Sequence, residues 1–135
     1  MSTRSTISAK MSDGQIKTIY CHWDGYLENN GEILFDYYST QDKIEKLVNL
    51  GDISALGNST DCPEGHSYED PIEGYTIAYC RERGDEFRIL EFQDREDIIE
   101  KAAQEYNYYW DGGRWYVYIR AEKKWEELKE VLECE

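Results

Sequence analysis

A chain of 135 residues has the length of one domain, and we expect residues 1–135 to fold as a single unit. Its 29 acidic and 15 basic residues give a net charge of −14, which argues against direct binding to nucleic acid or to an anionic membrane, because phosphate groups would repel it. The 14% aromatic share supplies large side chains for a core, so disorder is not expected although 33% of the residues are charged.

The N-terminal part of the chain predicts a hairpin followed by two helices. Apolar and polar residues alternate on both sides of Asp13-Gly14, a dipeptide typical of tight turns, so residues 5–22 are expected to form two antiparallel strands. Asn30 is predicted to cap a short first helix, and Thr40 is predicted to cap a second one, because both residue types are favoured at helix N-termini.

The middle of the chain is the least regular part. Residues 52–74 contain both prolines and are expected to form a long loop, which is usually functional or mobile. Residues 75–82, "YTIAYCRE", alternate like a strand, and Gly84-Asp85 provides a turn into a second strand at residues 87–92.

The C-terminal part predicts a helix, a hairpin and a final helix. Asp94 is expected to cap a helix over residues 95–106, and residues 107–119 are expected to form an aromatic hairpin about Asp-Gly-Gly. Apolar residues at helical spacing predict a last helix over residues 123–133. Because hairpins dominate, the predicted class is a single α+β domain: an antiparallel sheet of hairpins with helices packed on one face.

The stretch "IYCHWDGY", residues 19–26, is the most reactive-looking segment. A thiolate nucleophile at Cys21 would need a base, but His22 is its neighbour on a strand, where adjacent side chains point to opposite faces. The triplet "WDG" recurs at residues 110–112 within the predicted hairpin, which indicates a strand end meeting a turn in both places. A hydrolase that uses His22 and Asp24 lacks a nucleophile or metal, so no catalytic residue and no enzymatic activity is predicted.

A metal site has little support. Cys62 and His66 are weak candidate ligands, four residues apart in the long loop, but structural zinc sites pair two short spacings. No metal and no other cofactor is therefore expected. There is no hydrophobic leader and no apolar run near membrane-spanning length, so we expect a cytoplasmic protein without membrane contact. Free thiols in a reducing compartment are expected at four positions, which are Cys21, Cys62, Cys80 and Cys134.

The acidic charge leaves two interpretations open. It keeps a small protein soluble, or it steers the chain toward a basic surface of a partner protein. Tyr and Trp are enriched at protein interfaces, and in hairpins they also serve as cross-strand packing. Exposed aromatics ringed by carboxylates would form an interaction surface. The candidate interface residues are Tyr108, Tyr109, Trp110, Trp115, Glu126, Glu127 and Glu130.

The motifs "STRSTI" and "IYCHWDGY", followed by "LVNLGDISALG" and a late "DGGRWYVY", resemble a group of small proteins encoded by bacteriophages and prophages. The resemblance covers Ser2 to about Gly57 well and the last hairpin loosely. It implies an accessory phage product in the cytoplasm of a bacterial host cell, and it supplies no catalytic residues. It favours an inhibitor that occupies the basic surface of a host defence nucleic-acid enzyme, such as a CRISPR effector or a restriction-type nuclease.

The alternative hypothesis is a protein that sequesters a small molecule or a nucleotide signal. An arginine supplies a cation for phosphate, and aromatic rings supply stacking surfaces. Pockets of this kind often form between subunits, so this alternative includes a homo-oligomer. Its candidate ligand-binding residues are Arg4, His22, Trp23, Asp24 and Tyr26.

Overall fold

The computed structural model describes residues 3–133 and shows one mixed sheet with five α-helices around it. The strands are β1 (Ser5–Lys10), β2 (Ile16–Trp23), β3 (Ile53–Ala55), β4 (Ile77–Ala78), β5 (Leu90–Phe92), β6 (Tyr106–Asp111), β7 (Arg114–Ile119) and β8 (Lys124–Glu127). The helices are α1 (Glu32–Tyr37), α2 (Gln41–Val48), α3 (Tyr79–Arg83), α4 (Arg95–Ala102) and α5 (Leu128–Glu133). A π-helical turn, Leu27–Gly31, leads directly into α1. Within residues 3–133, no helix combines the length and apolar character needed to cross a membrane.

The sheet joins two of the three predicted hairpins through its centre. The predicted hairpin about Gly84-Asp85 is wrong, because β4 pairs with β3 and β5 pairs with β2. The strand order is β4-β3-β2-β1-β6-β7-β8, and β5 pairs with the first half of β2. The β1–β2 and β6–β7 hairpins are both present, and β1 lies parallel to β6. The β2–β3 pairing is also parallel, whereas the other five are antiparallel. The α+β class is therefore confirmed, with two parallel pairings added to the hairpins.

One face of the sheet, called here the apolar face, carries the main core. Alternating strand residues such as Ile7 and Val117 are fully buried there, as the period of a strand requires. Helices α1, α2 and α5 cover this face with Leu34, Leu47 and Leu128, none of which is exposed. Full burial of each Leu stabilises the fold by about 1.5–3 kcal/mol.

The opposite face, called here the polar face, is built differently. Its central positions are the buried polar side chains Thr6, Ser8, Thr18 and Asn107. Helix α4 covers part of it, packing Ile98 into a small separate cluster of side chains. Helical cover thus lies mostly on one face, as expected, and α4 is the exception.

Two predicted caps are present, and two predicted segments change type. Thr40 and Asp94 accept hydrogen bonds from the backbone N–H groups of the third helical residues of α2 and α4, at 3.4 and 2.9 Å. The predicted strand over residues 75–82 is wrong beyond Ala78, because α3 begins at the next residue. The Glu82 carboxylate accepts the Ala78 N–H at 2.7 Å, which ties the start of this helix to its own side chain.

The last predicted helix begins later than expected. Residues 124–127 form β8 and pair with β7, so Trp125 lies opposite Tyr118 with ring centroids 5.5 Å apart. The cross-strand aromatic contact and four ladder positions outweigh the helical spacing of the apolar residues. The helix itself starts only at Leu128. Helix α4 also ends early, at Ala102, which lets the chain enter β6.

Candidate functional site

The segment at residues 19–26 is a packed corner without a reactive thiol. Cys21 is completely buried and donates to the Trp23 carbonyl at 3.1 Å. The Asn30 amide donates to both the Ser5 hydroxyl, at 3.1 Å, and the Cys21 sulfur, at 3.4 Å. Burial raises the pKa of Cys21 to about 11, so the thiol stays protonated at neutral pH. The predicted capping role of Asn30 is wrong, because its side chain is used in this buried network.

The Asp24-Gly25 turn is held by backbone contacts. A Cβ atom on Gly25 would lie 2.6 Å from the Ser5 Cβ, so only glycine fits against β1 here. The Tyr108 hydroxyl donates to the Gly25 carbonyl at 2.6 Å, and the Asn29 amide donates to the Asp24 carbonyl at 3.0 Å. These contacts give the segment a structural role, as the strand-end interpretation of the sequence predicted.

The five predicted ligand-binding residues do not surround one pocket. His22 Nδ1 lies 2.7 Å from the Tyr20 hydroxyl oxygen, and the imidazole ring meets the Trp23 ring edge-on. Trp23 and Tyr26 are exposed, and four of the cavities among residues 3–133 are lined neither by them nor by His22. These cavities do not group the predicted residues, and the predicted ligand site stays a prediction.

Two of the five predicted ligand residues have other roles. Asp24 is used locally: one of its carboxylate oxygens accepts the Thr3 N–H at 3.3 Å. Arg4 differs from the rest, because it lines a cavity of about 320 Å³ together with Arg88 and Lys101. Those two neighbours come from distant parts of the sequence, and the ligand-binding role of Arg4 stays a prediction.

The weak metal candidates meet through the backbone, because the Cys62 sulfur lies 4.0 Å from the His66 carbonyl oxygen. Both ring nitrogens of His66 are used: Nδ1 accepts the Ile72 N–H at 3.0 Å, and Nε2 lies 3.2 Å from the Thr76 carbonyl, to which it donates. The imidazole is buried, whereas Cys62 is exposed on the loop surface. His66 therefore anchors the long loop against the body of the domain. The structure groups no three His, Cys, Asp or Glu side chains suitably for a metal ion anywhere in residues 3–133.

The aromatic residues predicted to form an interface are buried. Tyr108, Tyr109, Trp110 and Trp115 are each exposed by 5% or less, so their predicted role as exposed anchors is wrong. Helices from other parts of the chain cover both faces of their hairpin. Both indole N–H groups make hydrogen bonds within the domain. Trp110 donates to the Gln41 side-chain oxygen at 2.7 Å, and Trp115 donates to the Tyr38 carbonyl at 2.8 Å.

The predicted interface carboxylates separate into two groups. Glu126 lies 3.2 Å from Lys124, and Glu127 lies 3.7 Å from Arg114, so both have cationic neighbours. Glu130 is exposed on α5 and has no hydrogen bond or ion pair to a residue in the described range. Only the last of the three is available as an uncompensated charge.

That carboxylate belongs to a larger surface, called here the acidic helical face. The π-helical turn, α1 and α5 pack against one another and expose five acidic side chains. No hydrogen bond or ion pair joins these side chains to any residue from 3 to 133. Two aromatic residues of α1 are also exposed, Phe35 by 38% and Tyr37 by 46% of its surface. The face comprises Glu28, Glu32, Phe35, Asp36, Tyr37, Glu130 and Glu133.

The sequence contained a signal for this face. Acidic residues recur every four positions at 24, 28, 32 and 36, and no Lys or Arg occurs between Lys17 and Lys43. A four-residue spacing places side chains on one side of a helix. The interface was instead predicted at residues 107–119, because that hairpin contains more aromatic residues than α1 does.

The described residues thus present two surfaces of opposite charge, which are the acidic helical face and the cavity lined by Arg4. Neither has the paired nucleophile and base, or the metal ligands, of a hydrolytic site. The chain matches no family model, no curated protein and no solved structure.

Proposed function

We propose that this chain is a binding protein that docks its acidic helical face on a basic surface of a partner protein. The observation that carries this proposal is the coincidence, on α1, of uncompensated carboxylates with exposed aromatic rings. Glu32 and Asp36 lie one helical turn apart, and Phe35 and Tyr37 flank the second of them. Some other carboxylates are ion-paired, such as Asp85 with Arg83 and Glu82 with Arg81.

The two kinds of side chain have complementary roles in such an interface. The carboxylates repel one another in the free protein, and a surface of Lys and Arg would relieve that repulsion and accelerate association. The exposed ring of Phe35, which lines a cavity together with Glu130 and Glu133, provides the apolar contact that becomes dry in a complex, and Tyr37 lies at the opposite edge of α1. Because the charges are exposed, salt should weaken the complex strongly.

The resemblance to phage-encoded proteins makes the proposed partner more specific. Enzymes that hold nucleic acid line their channels with Lys and Arg, which is the surface an acidic protein would occupy. The proposal is therefore an inhibitor, encoded by a phage or prophage and acting in the bacterial host cell, of a defence enzyme such as a CRISPR effector or a restriction-type nuclease. Competition with nucleic acid, without chemistry, is the proposed mechanism.

The test is a pull-down from nuclease-treated lysate of the bacterial host, with bound proteins identified by mass spectrometry. The variant Glu28→Gln/Glu32→Gln/Asp36→Asn removes three charges from the acidic helical face. The matched control, Glu91→Gln/Glu100→Gln/Glu122→Gln, removes three exposed charges elsewhere. We expect the native chain and the control to capture one stoichiometric nucleic-acid enzyme that salt releases, and the face variant to lose it.

Affinity for that purified enzyme, measured by biolayer interferometry, gives the second readout. The face variant should bind at least about tenfold more weakly than the control, and Phe35→Ala should weaken binding further by about 1–2 kcal/mol. Capture of no protein, or equal loss in both triple variants, would contradict the proposal. Inhibition of the enzyme by the native chain, relieved by excess nucleic acid, would establish the competition.

A further inference from the structure

The polar face of the sheet ends in a cavity whose charge is opposite to that of the chain. We propose that this cavity, called here the cationic pocket and lined by Arg4, Tyr20, Asp52, Arg88 and Lys101, binds a small phosphorylated molecule that carries hydroxyl groups, such as a nucleoside monophosphate or a sugar phosphate. The site is separate from the acidic helical face and does not depend on the function proposed for it.

Several elements meet at the pocket. Arg4 precedes β1, Arg88 precedes β5, and Lys101 lies in the last turn of α4. Between them, Thr6 and Thr18 of the neighbouring strands β1 and β2 form a buried floor. The cavity is open to solvent on one side, and its volume of about 320 Å³ is within the range of about 300–1,000 Å³ that is usual for small-molecule sites.

The charge of the pocket sets it apart from the rest of the molecule. Three cations and one carboxylate line it, although the whole chain carries a net charge of −14. Three other cavities among residues 3–133 are each lined by more acidic than basic side chains. The local excess of positive charge attracts a small anion into the pocket. The carboxylates on the surrounding surface repel larger anionic molecules, because they dominate the electrostatic potential at longer range.

The cations have donors available for a ligand. The exposed guanidinium of Arg4 has no hydrogen bond or ion pair to another described residue. Arg88 Nε lies 3.7 Å from Asp52, and Lys101 Nζ lies 3.9 Å from Asp97. Both separations exceed hydrogen-bond distance, so these N–H groups remain free to donate. Planar guanidinium groups match phosphate oxygens in bidentate contacts.

The position of Asp52 indicates that the ligand carries a hydroxyl group as well as a phosphate. One of its carboxylate oxygens accepts the Tyr20 N–H at 2.9 Å, which fixes the side chain in the pocket wall. Its other oxygen faces Arg88 and is free to accept a further hydrogen bond. A bare phosphate has no group that uses this acceptor, whereas a sugar hydroxyl does. Leu90 and Ala102 add apolar surface beside it, which suits a carbon skeleton.

The test is isothermal titration calorimetry at low salt with three probes: AMP, ribose 5-phosphate and inorganic phosphate. Adenosine, which lacks the phosphate, is the negative probe. The pocket variants are Arg4→Gln, Arg88→Gln and Lys101→Gln. The control Arg120→Gln removes an exposed arginine whose side chain has no hydrogen bond or ion pair within residues 3–133.

We expect saturable 1:1 binding of AMP or ribose 5-phosphate, weakened at least about tenfold by each pocket variant and less than about twofold by Arg120→Gln. Perturbed amide resonances of Tyr20 and Ala102 on titration would locate the ligand. Binding of inorganic phosphate with equal affinity would leave the phosphate subsite supported and contradict the part assigned to Asp52. Absence of binding by all three anions at millimolar concentration, or equal weakening by Arg120→Gln, would overturn the proposal. Thermal melts monitored by circular dichroism confirm folding of each variant.

Discussion

The two faces of the sheet use opposite ways to exclude water. The apolar face is sealed by three helices, and most of its strand side chains pack carbon against carbon, with the polar atoms of its aromatic rings bonded at the edges, as in Trp110 with Gln41 and Trp115 with the Tyr38 carbonyl. The polar face buries hydroxyl and amide groups, which are costly without hydrogen bonds, and satisfies them in pairs: Thr6 with Asn107 at 2.9 Å, and Ser8 with Thr18 at 2.7 Å. Only one eight-residue helix covers it. The comparison indicates that a sheet face whose buried polar groups are hydrogen-bonded in pairs can be left partly uncovered by helices. The cationic pocket lies on the part of the polar face that α4 does not cover.

The largest expected difference between the faces is in core truncation. Leu47→Ala on the apolar face should lower the free energy of unfolding by about 2–5 kcal/mol, because it leaves a cavity among fixed neighbours. Ile98→Ala under α4 should cost less, at the low end of the same range of about 2–5 kcal/mol, because its small separate cluster can relax into the space. Urea unfolding followed by circular dichroism measures both. Hydrogen exchange should also show slower opening of α2 than of α4, and the reverse order would contradict the comparison.

The apolar face should also make the protein sensitive to alkali through Cys21. Its folded pKa of about 11, raised from 9.0 by burial, means that only the unfolded chain loses this proton between those values. Stability is therefore complete below pH 9 and should fall by about 3 kcal/mol as the pH rises to 11. Cys21→Ala should flatten the curve of unfolding free energy against pH in that window. An unchanged curve would show that the thiol does not cause the loss.

The corner that closes the apolar face tolerates little added volume. Gly25→Ala should cost about 1–3 kcal/mol, because the new methyl group meets Ser5 of β1. Gly31→Ala is the matched control, since its Cβ would find its nearest neighbour at 3.5 Å, an ordinary contact. Thermal denaturation of the two variants gives the comparison. Equal melting temperatures would remove the steric argument.

The smallest expected effect on stability concerns the buried hydroxyl pair of Ser8 and Thr18 on the polar face. Thr18→Val should cost about 1 kcal/mol by leaving the Ser8 hydroxyl buried without its partner. The double variant Ser8→Ala/Thr18→Val removes both polar groups and should recover most of that loss. Urea unfolding of the single and double variants measures the coupling. A double variant that is less stable than the single would show that the hydroxyl pair itself contributes net stability.

Local sequence signals predicted several turns and caps, but not the helix at Tyr79 or the strand at Lys124. The turns at Asp13-Gly14 and Gly112-Gly113 and the caps Thr40 and Asp94 are each decided within a few residues, and all are present. Contacts between distant segments were not predictable in this way. The cover over the aromatic hairpin comes from α1, α2, α4 and α5, and burial of those aromatics follows only from the assembled fold.

The candidate site shows the same limit. Arg4 could be singled out from the sequence as a cation with neutral neighbours, but nothing local relates it to Arg88 or Lys101. The early change from strand to helix at Tyr79 and the short strand β5 are what bring the second arginine beside β2. One part of the acidic helical face was easier to predict from the sequence, because the four-residue spacing of Glu28, Glu32 and Asp36 lies in one continuous segment, whereas Glu130 and Glu133 join it only in the fold.

The parallel pairing of β1 with β6 has a consequence for synthesis on the ribosome. The two strands meet across a separation of 101 residues, as between Thr6 and Asn107. The emerging N-terminal hairpin must therefore expose one long edge until most of the chain has been made. Folding should be slow for a chain of this size, because non-local contacts form last. A nascent chain that stalls before β6 would leave that edge open to pairing with other chains.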